Sequence, residues 1–188
     1  MVSLFPEVIV MPEINAFVIA QILGFIGMGF IMVGMQQKQY GRIVFCEIAN
    51  NILAATHYIF LGGFTGMCIS FASAVTNVVY WYRNKKGLSN FYFQIVFGIL
   101  FVLLALFSWH GFFSIFILLA KLISSISLGI NNPRIIRLLK LISFPCWLIY
   151  DISVGSFAGI VGDAMSIGSV ILGIVRLDIL KKEEKMKE

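Results

Sequence analysis

The hydrophobic positions fall into long, nearly unbroken runs rather than alternating faces. Seven can be drawn, over residues 15–35, 43–61, 64–82, 91–108, 112–130, 135–154 and 157–177. Each is close to the ~20 residues an α-helix needs to cross a bilayer. The pattern therefore predicts an all-α, polytopic membrane protein: a single integral domain over 1–188 with seven transmembrane helices and a charged tail at 178–188. The breaks between runs are of two kinds. Gly62-Gly63, Trp109-His110-Gly111 and Gly155-Ser156 are short and carry no Lys or Arg. The breaks after residues 35, 82 and 130 are polar and basic.

Two of the uncharged turns echo each other. His57-Tyr58-Ile59-Phe60-Leu61-Gly62-Gly63-Phe64-Thr65-Gly66 is answered by Tyr150-Asp151-Ile152-Ser153-Val154-Gly155-Ser156-Phe157-Ala158-Gly159, 93 positions on. The alignment runs without a gap to Arg83 and Arg176. Ile59/Ile152, Gly62/Gly155, Phe64/Phe157, Gly66/Gly159, Ser73/Ser166 and Arg83/Arg176 are identical along it. We read an internal duplication of a helical membrane unit. Three spans reverse the direction of the chain, so a fourth is needed before a second triplet can run parallel to the first. The expected plan is a first repeat over 15–82, a linker helix over 91–108 and a second repeat over 112–177. An axis along the membrane normal would relate the two repeats.

Composition agrees with the pattern. The 188 residues are 60% hydrophobic and 12% charged, with mean hydropathy +0.96, whereas soluble domains carry about 25% charged residues. The lipid bilayer is the expected surrounding. The net charge of +5 does not point to nucleic acid, because the basic residues lie between spans. Of the 14 Lys and Arg residues, all but Lys121 fall at one set of span ends. By the positive-inside rule that side is cytoplasmic, which puts the N-terminus outside and the C-terminus inside. Residues 1–15 contain no Lys or Arg, so no secretory signal is expected and the first run stays in the protein. The charged residues Lys181 to Glu188 read as a solvated tail, with attraction to anionic headgroups as the alternative. Cys46, Cys68 and Cys146 lie in apolar runs without CxxC or Cys/His spacing, so they predict no disulfide, metal or cofactor site.

The loop Gln36-Gln37-Lys38, the HYxxxGGxxG turn from His57 and the YDxxxGSxxG turn from Tyr150 resemble those of the YgjV family of bacterial inner-membrane proteins. The resemblance covers nearly the whole chain. It implies an inner-membrane location and kinship with the SWEET and PQ-loop (MtN3-like) transporters, which share the three-one-three plan. PQ-loop proteins carry Pro-Gln near the ends of spans one and five; here those places hold Gln36-Gln37 and Asn132-Pro133.

Polar groups inside hydrocarbon face protein or a water-filled cavity, and residues three or four apart share a helix face. Span two carries such a stripe in Glu47, Asn50, Asn51, Ala54, His57 and Tyr58, and span three in Gly66, Ser70, Ser73 and Asn77. Spans five, six and seven carry Ser114, Lys121, Ser124 and Ser125; Ser143, Trp147, Tyr150 and Asp151; and Gly159, Gly162, Asp163, Ser166, Ser169 and Gly173. The small residues of span seven, with Gly24 and Gly27, suit close helix packing. Lys121 lies deep enough to need a partner. It serves either a buried ion pair reaching Asp163 that fixes helix register, or a charge in a solute or proton path. Glu47 is expected to snorkel or meet Arg42, His57 to be a satisfied histidine or a proton sensor, and Asp151 to cap its turn or line a vestibule. Pro145 is expected to bend span six.

No HExxH, GxSxG, P-loop or GxGxxG pattern occurs in a suitable setting, so no enzyme is predicted. The leading expectation is alternating-access transport of a small polar solute, sugar-like or amino-acid-like. Asn50, Asn77, Lys121, Trp147 and Asp163 would line the site. The alternative is a non-transporting membrane scaffold or accessory subunit. A homo-oligomer is compatible with either.

Overall fold

The computed structural model describes residues 14–107, 109 and 111–180. The expected lack of a secretory signal in 1–13, the end of span four at Ser108 and His110, and the solvated tail from Lys181 fall outside those residues. Within them the chain is all-helical: α1 Ile14–Met35, α2 Tyr40–Leu61, α3 Phe64–Lys85, α4 Phe91–Phe107, α5 Ser114–Gly129, α6 Pro133–Ser153 and α7 Phe157–Gly173. A π-helical segment, Ile174–Ile179, prolongs α7.

Each apolar run is one helix, with ends displaced by a few residues for identifiable reasons. Span two begins earlier than its apolar run, at Tyr40, because Tyr40 is anchored: its hydroxyl donates to the Leu128 carbonyl at 2.7 Å. Span six begins at Pro133, which needs no amide partner in a first turn, and the Asn132 side chain accepts from the amides of Arg134 and Ile135. Pro145 sits inside α6, where it has no N–H for the helix ladder.

The echoing turns adopt the same conformation. Gly62 has φ 72° and Gly155 φ 68°, the left-handed region where a side chain is strained. The following amide closes each cap in the same way: Gly63 N–H donates to the Tyr58 carbonyl at 2.9 Å and Ser156 N–H to the Asp151 carbonyl at 3.0 Å.

The helices pack as a closed ring. Each of α1·α2, α2·α3, α3·α5, α5·α6, α6·α7 and α7·α1 is a packed pair, while α4 lies outside the ring against α3 and α5. Small residues let α1 and α7 meet. A Cβ on Gly24 would sit 2.7 Å from that of Ala158, and one on Gly173 would sit 2.8 Å from the Met35 carbonyl oxygen.

The ring is polar inside and apolar outside. Phe45, Ile52, Phe71, Ile99, Leu106 and Leu172 are all more than half exposed, whereas Glu47, Asn51, Ser70, Asn77, Lys121, Lys140 and Asp151 are buried. That inversion suits a lipid surround. Among the described residues four helical stretches, Asn15–Met35, Tyr40–Leu61, Phe64–Lys85 and Phe157–Ile179, are long and apolar enough to cross a membrane. Helices α4 and α5 are apolar but have only 17 and 16 residues, about 25 Å against a ~30 Å hydrocarbon core. Arg134, Arg137, Lys140 and Asp151 interrupt the apolar run of α6.

Candidate functional site

The polar stripe of α2 faces the centre of the ring. All six of its residues, from Glu47 to Tyr58, line one cavity of about 90 Å³, room for several water molecules. Every ring helix contributes to the wall: Gly27 and Met28 from α1, Ser70 from α3, Lys121 and Ser124 from α5, Lys140, Trp147 and Asp151 from α6, and Gly162 and Asp163 from α7. Glycine makes part of that space, since a Cβ on Gly27 would lie 2.8 Å from Asn50 Oδ1.

The two echoing turns bond to each other above the cavity. Tyr58 Oη donates to Asp151 Oδ1 at 2.7 Å, and the Gly66 amide donates to Tyr150 Oη at 3.2 Å. His57 Nδ1 donates to the Ala20 carbonyl at 2.7 Å, and its Nε2 pairs with the Ser156 hydroxyl at 2.8 Å. The Tyr58 ring stacks on Trp147, with centroids 6.4 Å apart and planes at 14°. A side chain on Gly159 would collide with Asp151 and Ser156, so this corner excludes even a methyl group.

Charge is distributed unevenly along the cavity. At the basic end, away from the turns, Lys140 Nζ meets Glu47 Oε1 at 2.6 Å, an ion pair whose angles lie outside hydrogen-bond geometry. Both side chains are almost fully buried. Lys121 Nζ reaches Asn51 Oδ1 at 3.4 Å and lies 5.7 Å from the centre of the Phe101 ring. Nearer the turns the Asp151 and Asp163 carboxyls adjoin. Besides Glu47 Oε1, two groups on the wall are enclosed without a hydrogen-bond partner, Ser70 Oγ and Asp163 Oδ2.

Of the five residues expected to line a solute site, Asn50, Lys121, Trp147 and Asp163 lie on the wall of this cavity. Asn77 lies outside the lining; it is 1% exposed and its Nδ2 has no partner. The expected Lys121–Asp163 pair is not formed. Helix α5 packs on α3, α4 and α6 whereas α7 packs on α1 and α6, and the cavity keeps the two charges apart. Lys121 also lies shallower than its apolar run suggests, because α5 begins at Ser114. Glu47 does not meet Arg42; it turns inward to Lys140. His57 is the satisfied histidine of the two readings.

Lys140 is the residue sequence reasoning missed. Counted among the basic loop residues, it is 4% exposed inside the bundle. Two signals mark it: it lies 93 positions after Glu47, and it heads the α6 stripe of Ser143, Trp147 and Asp151. Arg137 is likewise buried, held by Asp178 at 2.5 Å and by the Gln37 carbonyl at 3.1 Å.

No curated protein and no solved structure matches the chain. A family model does: Imp-YgjV, described as a bacterial inner membrane protein, matches residues 18–181. That span takes in the ring except the first turn of α1, both echoing turns and every charged group of the cavity. The chain belongs to this family of bacterial inner membrane proteins.

Proposed function

We propose that this protein carries a small polar solute across the inner membrane by alternate opening of two three-helix units, α1–α3 and α5–α7, around the central cavity. The observation behind the reading is that residues 93 positions apart meet across the centre. Tyr58 bonds Asp151 and Glu47 pairs with Lys140, while Ala54 and Trp147, Met28 and Lys121, and Ser70 and Asp163 share the cavity wall. Contacts between equivalent positions are what a pseudo-twofold axis through the cavity produces. The ring interfaces obey the same relation, α3·α5 corresponding to α7·α1. In this reading α4 is the linker that keeps the units parallel, as in the SWEET and PQ-loop plan. All seven helices span the bilayer, and the basic ends are cytoplasmic.

Alternate opening needs closures on both sides of the solute. The Tyr58–Asp151 and His57–Ser156 bonds join the units at the turn end. At the basic end, Arg137 ties the Gln37 carbonyl to Asp178, and Gln36 Nε2 donates to the Ser169 carbonyl at 2.7 Å. Both sets cross between units, so opening one side breaks few bonds. The test is uptake into proteoliposomes across a panel of sugars, amino acids and ions. Saturable flux is expected for one class, falling at least tenfold in Lys121→Ala. No saturable flux for any class would leave a scaffold or accessory subunit as the better reading.

A further inference from the structure

The cavity wall holds an ammonium group and a carboxyl group that do not meet. Lys121 is 3% exposed and has three N–H donors, but its ammonium reaches one amide oxygen at 3.4 Å and the face of one ring. Asp163 Oδ2 is enclosed beside the Asp151 carboxyl and accepts no hydrogen bond from a protein donor. A buried charge in this condition is costly unless something completes it. Both residues line the same small space. They also start from similar depths: Lys121 lies seven residues into α5 and Asp163 six into α7, each about 10 Å from the turn end. From there the Lys121 side chain meets Asn51, at the middle of α2.

The surroundings sharpen the polarity. At the basic end two ammonium groups, Lys121 and Lys140, face one carboxylate, Glu47, so positive charge is in excess. Toward the turns the Asp151 and Asp163 carboxyls adjoin closely enough to hydrogen-bond through a shared proton, with the charge of Lys140 also reaching Asp163, and an ammonium group can take that proton's place. Ser70 Oγ, 1% exposed and unpartnered, offers one more hydrogen-bonding group on the same wall.

We infer that the site takes a small zwitterion of the α-amino-acid type. Lys121 receives the carboxylate, Asp163 receives the ammonium, and the cavity of about 90 Å³ admits only a small side chain. This inference rests on the transport reading for its physiological meaning but not for its chemistry. A neutral sugar would leave both charges uncompleted, and a simple anion or cation would complete only one. A zwitterion completes both and brings no net charge into the bilayer.

The experiment is calorimetric titration of the purified full-length protein with L-alanine, L-lactate, L-alaninamide and D-glucose. Lactate keeps the carboxylate and loses the ammonium; alaninamide does the reverse. L-alanine is expected to bind, lactate and alaninamide at least tenfold more weakly, and glucose not at all. Lys121→Gln is expected to abolish the preference for alanine over alaninamide, and Asp163→Asn the preference over lactate. If a variant does not fold, the analogue series on the unaltered protein decides alone. No alanine binding, or equal binding of either analogue or of glucose, overturns the assignment. Saturable sugar uptake without alanine binding would refute the zwitterion and leave transport standing. Alanine binding without flux in proteoliposomes would do the opposite.

Discussion

Removing one partner of the Glu47–Lys140 pair is the sharpest perturbation the structure offers. The two charges stand 2.6 Å apart, with side chains 3% and 5% exposed. At an effective dielectric of about 20 their attraction is about 6 kcal/mol, most of it offset by the cost of taking both ions out of water. Removing a single partner does not recover that cost, because the other charge stays buried and alone. Such losses run to about 3–5 kcal/mol, and water in the adjoining cavity moves the expectation toward the lower figure. Glu47→Gln and Lys140→Gln should therefore each destabilise the protein by about 3 kcal/mol. The double variant leaves two neutral amides that can bond each other and should cost no more than either single change. The assay is reversible unfolding in mixed micelles, read as a double-mutant cycle. Additive losses within about 0.5 kcal/mol would refute the reasoning. The two residues would then act independently, and the central meeting of equivalent positions would lose its best support.

Three further predictions use different handles. Tyr58→Phe removes the donor to Asp151 Oδ1 and should cost about 1–3 kcal/mol in the same unfolding assay; no change would mean that water replaces the hydroxyl. Gly159→Ala puts a methyl group into Asp151 and Ser156 and should cost about 1–3 kcal/mol, whereas Gly29→Ala, with nothing within 4 Å, should be neutral or stabilise by up to about 1 kcal/mol. Reporter fusions at the two ends of the chain should report opposite compartments, with the C-terminal one cytoplasmic; a shared compartment would refute the seven-span reading.

The helices were legible because apolar runs of this length have few alternatives. The lining was legible in part, since a polar residue within such a run has to turn inward. That argument brought Asn50, Lys121, Trp147 and Asp163 to one cavity. It failed for Asn77, because facing inward does not require facing the central space: Asn77 is buried beside it instead. Partners were harder to read than faces. Arg42 is five residues from Glu47 on the same helix, and Asp163 lies one helix beyond α6 from Lys121, but both charges take partners from across the ring: Glu47 meets Lys140 and Lys121 meets Asn51. Choices of that kind depend on which helices oppose each other across the ring, and local spacing carries no information on that. Counting Lys140 and Arg137 with the basic loops also hid their role, because charge statistics do not separate a solvated lysine from a buried one.

The proposed axis explains why the two halves of the cavity differ chemically. A residue beside a twofold axis faces its own counterpart, so identical halves would set Glu47 against another glutamate and Asp151 against another aspartate. Like charges at that range repel inside a bundle. Within one chain the two copies are free to diverge, and at these positions they are complementary: Glu47 with Lys140, Tyr58 with Asp151. The same freedom lets Met28 answer Lys121 and Ser70 answer Asp163, so the ammonium without an ion-pair partner and the carboxyl of α7 each occur once on the wall instead of twice. A site with that polarity binds a zwitterion in one orientation. Two exchanges separate orientation from composition. Met28→Lys with Lys121→Met moves the cation to the other unit, and Ser70→Asp with Asp163→Ser moves the free carboxyl with it. Together they should preserve alanine binding within about tenfold, while either exchange alone should weaken it by more than about tenfold, because about 1.5–3 kcal/mol of charge-assisted bonding is then misplaced. If the fourfold variant binds no better than the two partial ones, the halves are not interchangeable frames and the axis is not a working element of the site.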